Sequence, residues 1–135
     1  FDEFKKKLLF KFYKAQDFPI ITISAKEKKR LFKLIDLTLE LFEKANRKID
    51  TPMLYKIIAR LQDSQKIPQL GGKIRIYYAT QIHTIPPQFK LFVNNKSLFR
   101  KDTIRYFEKA LQNELDLKGI PIILHLEGKK DNIKN

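Results

Sequence analysis

Apolar residues near the start of the chain recur with the period of a helix and then form a continuous run. From Phe1 to Tyr13 they are spaced three and four residues apart, which predicts an amphipathic helix with lysines on its other face. The run Phe18–Ile23 is typical of a strand buried on both faces of a parallel sheet. Because a single strand requires partner strands, and because the chain opens directly into a helical pattern, we expect a piece of a longer polypeptide.

A second helix is predicted directly after this strand. Ser24 is placed to cap it, and Glu27 follows three residues on, as in a capping box. Its apolar stripe continues to about Lys48. The sequence therefore predicts an α-β-α unit over residues 1–48.

The remainder of the chain predicts the order α-β-β-α-β. Thr51 and Pro52 provide a cap and a first-turn proline for the next helix, and after Gly72 the apolar period changes to two. The predicted elements are a helix from Thr51, strands near Ile74–Tyr78 and Phe89–Val93 joined by residues 80–87, a helix from about Asp102, and a strand over Ile120–Leu126. The fold class is thus α/β (α+β), with the helices on one face of a three-stranded sheet over residues 49–128. The polar residues 129–135 are predicted to be a disordered tail.

Strand alternation separates a core face from an open face of that sheet. The predicted core positions are Ile74, Ile76, Tyr78, Phe89, Leu91, Val93, Ile122 and Leu124. The opposite face would carry Arg75, Tyr77, Lys90, Phe92 and His125. Such a face can stack bases and neutralise phosphates, or it can dock against another domain of the same protein.

The charge balance favours a polyanionic partner. The chain has 28 Lys and Arg against 15 Asp and Glu, a formal charge of +13, and 43% hydrophobic residues, enough for a core. It has no cysteine, which excludes disulfides and thiolate metal sites, so a cytoplasmic location is expected. Its apolar runs are far shorter than a membrane-spanning helix, so we expect no membrane partner.

Recognisable catalytic motifs are absent. The sequence has no phosphate-binding Gly-x-x-x-x-Gly-Lys-Ser/Thr loop, no Gly-x-Ser-x-Gly and no His-Glu-x-x-His. Its two histidines, His83 and His125, lie in different predicted elements. We therefore expect no catalytic residue, no metal site and no independent enzyme in this chain.

Several short stretches resemble a known family in sequence and in order. They are Tyr78–Gln81, Thr84 to Phe89 with Pro86 and Pro87, Phe92–Asn94, Arg105–Phe107 and Gly119–Ile122. Over about residues 50–130 the chain resembles the C-terminal KH-like domain of the Der (EngA) GTPases. The resemblance implies two preceding GTPase domains, a role in assembly of the bacterial large ribosomal subunit, and contacts of the KH-like domain with ribosomal RNA and with its own GTPase domains.

The first part of the chain is compatible with that resemblance. The run Phe18–Ile23 followed by Ser24, Ala25 and Lys26 is similar to the last strand and guanine-specificity motif of a GTPase domain, which implies guanine contacts by these three residues in the intact protein. GTP and magnesium are then cofactors of the intact protein. The phosphate-binding parts should lie before Phe1, so the chain alone is expected to be inactive and without cofactor.

The candidate RNA contacts combine sheet and helix residues. They are Arg75, Tyr77, Lys90, Phe92, Arg100, Lys101, Arg105 and Lys109. RNA-binding KH domains clamp the backbone with a Gly-x-x-Gly loop, which the four glycines here cannot form. We therefore expect electrostatic RNA contact with some stacking; the alternative is an intramolecular docking domain with little RNA binding.

Overall fold

The computed structural model describes residues 1–64 and 72–128. Over these residues the helices are α1 (Asp2–Lys11), α2 (Leu31–Ala45), α3 (Thr51–Asp63) and α4 (Lys101–Glu114), and the strands are β1 (Ile76–His83), β2 (Gln88–Val93) and β3 (Ile123–Gly128). Short 3₁₀ helices occupy Tyr13–Asp17 and Lys96–Leu98. The predicted tail, residues 129–135, lies outside the described residues.

The strands form one mixed sheet in the order β1-β2-β3. β1 is antiparallel to β2, and β2 is parallel to β3. Parallel neighbours require a crossover connection, which α4 provides between the end of β2 and the start of β3. The predicted α+β class and the order α-β-β-α-β are confirmed.

The described residues form one hydrophobic core, which lies between the sheet and the helices α3 and α4. Its fully buried residues include Phe89 and Leu91 of β2, Phe107 of α4 and Leu54 and Ile58 of α3. Each helix contributes residues at helical spacing, as expected for an amphipathic helix on a sheet. Both helices therefore cover the same face of the sheet, and the other face is left open by the described residues.

The predicted core position of Tyr78 is wrong because β1 contains a β-bulge. The register shifts between Ile76, which lies opposite Val93, and Tyr78, which lies opposite Phe92. Ile76 and Ala79 are both buried although they are three residues apart, and Tyr78 is 48% exposed. An extra residue in one strand reverses the alternation beyond it, so Tyr78 lies on the open face.

Strand limits also differ from the prediction. β1 continues to His83, so the connection to β2 contains only residues 84–87 instead of residues 80–87. β3 begins at Ile123 instead of Ile120, because Pro121 has no N–H to donate and precedes the ladder.

The cap of α3 is Asp50 and not Thr51. The Asp50 carboxylate accepts a hydrogen bond from the Met53 backbone N–H at 3.3 Å, and Pro52 lies in the first turn. Thr51 is the first residue of the helix. A cap side chain normally reaches the N–H two or three residues further on, a geometry that Asp50 satisfies.

The predicted strand Phe18–Ile23 is not formed. Among the described residues no strand pairs with it, and Phe18 and Ile23 are 44% and 46% exposed. A strand is stabilised by its ladder, so an apolar run without a neighbouring strand remains extended and unpaired.

The helix predicted to begin after Ser24 begins at Leu31 instead. The Ser24 hydroxyl accepts from the Glu27 N–H at 3.3 Å, as the capping pattern requires, but Ser24 and Lys29 also exchange backbone hydrogen bonds of 3.2 and 3.0 Å. This closes a turn that precedes the helix, whose first flanking residue is Arg30 with φ of 61°. The helix ends at Ala45 instead of about Lys48.

The N-terminal part joins the sheet domain at two places, one at the end of β1 and the loop that follows it, and one at the loop after α4. The Gln81 side-chain amide donates to Arg47 O at 3.1 Å, its oxygen accepts from the Ile49 N–H at 2.7 Å, and the Ile85 N–H donates to Ala45 O at 3.1 Å. At the second loop, the Arg47 guanidinium donates to the Leu115 carbonyl. These bonds hold the end of α2 against the domain.

Apolar side chains on α1 and α2 are exposed. Phe10 is 92% exposed and Phe32 is 85% exposed. The described part of α1 and of α2 contains no buried residue. The domain boundary near residue 49 stays a prediction.

Candidate nucleic-acid interface

The open face of the sheet presents aromatic, basic and polar side chains in rows across the strands. Tyr78, Phe92 and Glu127 occupy one row, and Thr80, Lys90 and His125 occupy the next. Since side chains in paired positions share a face, these residues form one continuous surface. We call it the open sheet face.

The first row contains an aromatic pair. The Tyr78 and Phe92 ring centroids lie 5.7 Å apart, with an interplanar angle of 47°. Tyr77 is adjacent to the pair, and the Arg75 guanidinium lies 5.0 Å from the Tyr77 ring centroid, a cation–π distance. The bulge leaves both consecutive tyrosines more than one-third exposed.

The second row is polar and contains one cation. Lys90 Nζ lies 4.0 Å from a Glu127 oxygen, and both side chains remain partly exposed. His125 Nε2 is 2.8 Å from Gln88 Oε1. An exposed pair at that distance contributes little stability, so Lys90 can exchange Glu127 for another anion at low cost.

Basic residues collect at the end of the sheet where β1 begins and β2 ends. Asn94 fixes this end, because its side chain accepts from the Arg75 N–H at 3.1 Å and donates to Lys73 O at 2.8 Å. Lys96 follows in the next turn, and its stem lies against Gly128 at the end of β3. Lys73, Arg75 and Lys96 are all exposed, so this edge adds positive charge beside the aromatic row.

The predicted contacts on α4 do not all join this surface. Arg100 and Lys101 are exposed at the start of α4. Arg105 and Lys109 instead line a cleft of about 320 Å³ formed with the 3₁₀ turn Tyr13–Asp17, and Lys109 Nζ lies 3.9 Å from an Asp17 oxygen. The structure therefore groups Arg75, Tyr77, Lys90 and Phe92, and it separates Arg105 and Lys109 from them.

That cleft contains a perturbed carboxyl group. Desolvation by burial raises the pKa of Glu108, and the nearby Arg105 guanidinium partly opposes the shift by lowering that pKa.

Ser24, Ala25 and Lys26 lie in the turn that precedes α2. Ala25 and Lys26 are exposed, and Ser24 is held by its bonds to Glu27 and Lys29. A contact of these residues with a guanine base stays a prediction.

The described residues contain no group of three or more His, Cys, Asp or Glu side chains placed to hold a metal ion. Within the same residues, no helix is long and apolar enough to cross a membrane.

Sequence analysis missed Tyr78, Thr80 and Glu127 as members of the open sheet face, and it missed Gln88, which contacts His125 beside that face. Gln88 lies in β2, one residue before the strand was predicted to begin, and Tyr78 was assigned to the core. The adjacency of Tyr77 and Tyr78 carries no signal of a bulge, since alternation alone places one of two neighbours inside.

Residues 48–127 match the family model described as the KH-domain-like of EngA bacterial GTPase enzymes, C-terminal. The matched segment begins just before α3 and ends one residue before the end of β3, so it contains β1, β2, nearly all of β3 and both helices that cover the sheet. The chain therefore belongs to this KH-domain-like family.

Similar proteins carry the name GTPase Der. The relative from Campylobacter hominis is 37% identical over 136 residues, which covers all of this chain and 29% of the relative. Those from Campylobacter curvus and Caldicellulosiruptor saccharolyticus are 33% and 34% identical, covering 100% and 96% of this chain and 30% of each relative. The chain thus spans about three tenths of the length of the curated relatives it matches.

Proposed function

We propose that this chain is part of a Der-type GTPase and that its KH-like domain contacts ribosomal RNA and the protein's own GTPase domains during assembly of the large ribosomal subunit. The observation that carries the proposal is the open sheet face, where Lys90 and Arg75 lie beside exposed rings. Positive charge and aromatic faces are the groups that proteins use to bind RNA without a dedicated backbone clamp. The chain's formal charge of +13 supports the same partner.

GTP and magnesium would be bound by the intact protein. The relatives are named as GTPases, and this sequence carries no phosphate-binding Gly-x-x-x-x-Gly-Lys-Ser/Thr motif. Under this proposal the nucleotide state of the GTPase domains changes the contacts that the KH-like domain makes, and Ser24, Ala25 and Lys26 help to read the guanine base.

The test is binding of the chain to fragments of large-subunit ribosomal RNA as salt is raised. We expect affinity to fall steeply between about 50 mM and about 200 mM salt, because each neutralised phosphate releases condensed counterions. The double charge reversal Arg75→Glu/Lys90→Glu should weaken binding strongly. Binding that does not respond to salt would overturn the proposal.

A matched control distinguishes RNA binding by the open sheet face from RNA binding that depends only on the net charge of the chain. The double variant Lys6→Glu/Lys33→Glu changes the total charge by the same amount, at exposed positions on α1 and α2. We expect it to bind RNA far better than the sheet variant. Equal losses in both double variants would mean that the open sheet face is not the contact surface.

The second candidate function is intramolecular docking on the GTPase domains. The exposed Tyr78 ring and the neutralising Glu127 favour it, since an apolar surface with paired charges also suits a protein partner. Tyr77→Ala with Phe92→Ala in the full-length protein discriminates the two. Lost RNA binding with retained domain docking supports the first function, and the reverse supports docking.

A further inference from the structure

The bulge in β1 brings two rings onto the open sheet face that simple alternation would separate. Tyr78 is placed opposite Phe92 only because the register shifts after Ile76. Without the shift, Tyr78 would share the core face with Ile76, and Tyr77 would be the residue opposite Phe92. The resulting Tyr78–Phe92 pair is not covered by any described helix.

We propose that Tyr78 and Phe92 form a stacking platform for unpaired RNA bases, with Arg75 and Lys90 binding the phosphates on either side. This inference rests on the proposed RNA-binding function and specifies its ligand as single-stranded RNA. Arg75 lies on the Tyr77 side of the platform, at the start of β1, and Lys90 lies in the next row. The platform therefore has positive charge on both flanks.

The ring geometry favours an unpaired nucleotide over a duplex. The bases of a helical RNA cover one another, so a protein ring can reach a base face only where the base is unstacked. Tyr78 is 48% exposed, and its ring is tilted by 47° to that of Phe92 at a centroid separation of 5.7 Å. Stacking is also independent of sequence because every base has a π-face, which is compatible with the missing Gly-x-x-Gly clamp.

Charge complementarity favours nucleic acid over a protein surface. The row beside the platform contains Lys90, and the adjoining edge contains Lys73, Arg75 and Lys96. Glu127, which lies opposite Phe92, is the acidic residue of the two rows that define the open sheet face. A protein partner would have to be strongly acidic to match this edge, whereas any RNA strand carries one negative charge per nucleotide.

The chain contains no tryptophan, which permits a direct optical test. In the Phe92→Trp variant the single indole would lie on the platform, and stacking of a base should quench its fluorescence. We expect quenching on addition of an unstructured RNA oligonucleotide and none with a blunt duplex of the same sequence. The matched control is Phe32→Trp on α2, at a ring position that is 85% exposed and distant in sequence from the sheet. Equal quenching of the two indoles, or quenching by the duplex, would overturn the platform.

A second variant removes the rings while keeping the net charge and an apolar side chain at both positions. In Tyr78→Leu/Phe92→Leu we expect affinity for single-stranded RNA to fall about tenfold or more, from the loss of base stacking, with duplex affinity unchanged. Phe32→Leu should leave both affinities unchanged. Circular dichroism of the double variant checks that it is folded; if it is not, the tryptophan reporter decides alone.

The outcomes separate the two proposals. If the chain binds duplex and single-stranded RNA equally and the leucine variant has no effect, the platform is wrong and the proposed function stands. If the chain binds neither RNA, the proposed RNA-binding function is itself wrong, and an effect of the leucine variant on binding to a GTPase domain would then support the docking function.

Discussion

Tyr78 lies directly opposite Phe92 in the β1–β2 ladder, and their ring centroids are 5.7 Å apart. This pairing exists because one extra residue in β1 shifts the register after Ile76. It places a tyrosine that the sequence pattern assigns to the core on the opposite face of the sheet. Substitutions of these two residues therefore test both the bulge in β1 and the open sheet face, whose aromatic pair depends on that bulge.

We expect Tyr78 and Phe92 to be energetically coupled. A tilted aromatic pair contributes about 0.5–1.5 kcal/mol beyond the burial of area. A double-mutant cycle with Tyr78→Ala and Phe92→Ala, measured as free energies of unfolding in urea, should show an interaction energy in that range. Pairing Tyr78→Ala with Phe32→Ala on α2 gives the control, which should be additive. Additivity in the Tyr78–Phe92 cycle would contradict the register described here.

Much of the sheet domain could be predicted from periodicity. Phe89, Leu91 and Val93 were assigned to the core by alternation and are buried, and the α4 positions Phe107 and Leu111 are buried as their helical spacing predicts. In these elements local pattern and tertiary packing agree, so the pattern is sufficient. The face of Tyr78 could not be predicted, because a bulge changes the register without changing the composition of the strand.

For the segment Phe18–Ile23, by contrast, local pattern and tertiary structure disagree. Its β-branched composition favours a strand, but a strand also requires a neighbour with free backbone groups. Among the described residues the only ladder contact nearby is the bridge between Ser24 and Lys29. Local composition cannot supply that partner, and the predicted strand was wrong for this reason.

Capping of α3 gives a prediction that separates two adjacent residues. Asp50→Ala removes the carboxylate that accepts from the Met53 N–H and should lower the free energy of unfolding by about 1 kcal/mol. Thr51→Ala is the matched control and should change stability by only a few tenths of a kcal/mol, because Thr51 is already inside the helix. Thermal unfolding of both variants measures the difference. A larger loss for Thr51→Ala would restore the cap predicted from the sequence.

Glu108 predicts a pH dependence of stability with a defined sign. Burial raises the pKa of this carboxyl above its usual value of 4.5, and Arg105 opposes the shift. The folded state therefore binds the proton more tightly than the unfolded state. The stability that this group contributes is fully present below about pH 4.5 and is lost as pH rises through the folded pKa.

We expect Glu108→Gln to remove this loss. The free energy of unfolding of this variant, relative to that of the unmodified chain, should increase as pH rises from about 4 to about 7. Arg105→Ala should enlarge the loss, since it removes the group that lowers the Glu108 pKa, and the double variant should again lack it. Lys14, Asp17 and Lys109 also line this cleft, so the comparison is made within variants that leave them unchanged. Parallel pH curves for Glu108→Gln and the unmodified chain would contradict the assignment.

Gly119 lies in the loop between α4 and β3, close to Pro19 of the N-terminal part. Its φ is +88°, and a Cβ at this position would lie 3.1 Å from Pro19 Cδ. Gly119→Ala should therefore lower the free energy of unfolding by about 1–3 kcal/mol, through backbone strain and through displacement of the segment around Pro19. Gly128→Ala is the matched control: its Cβ would meet the flexible Lys96 stem at 3.4 Å, so we expect little change in stability. Urea denaturation measures both variants. If Gly119→Ala is as stable as Gly128→Ala, the close contact between Pro19 and Gly119 is absent in solution, and the N-terminal segment does not pack against the KH-like domain at this loop.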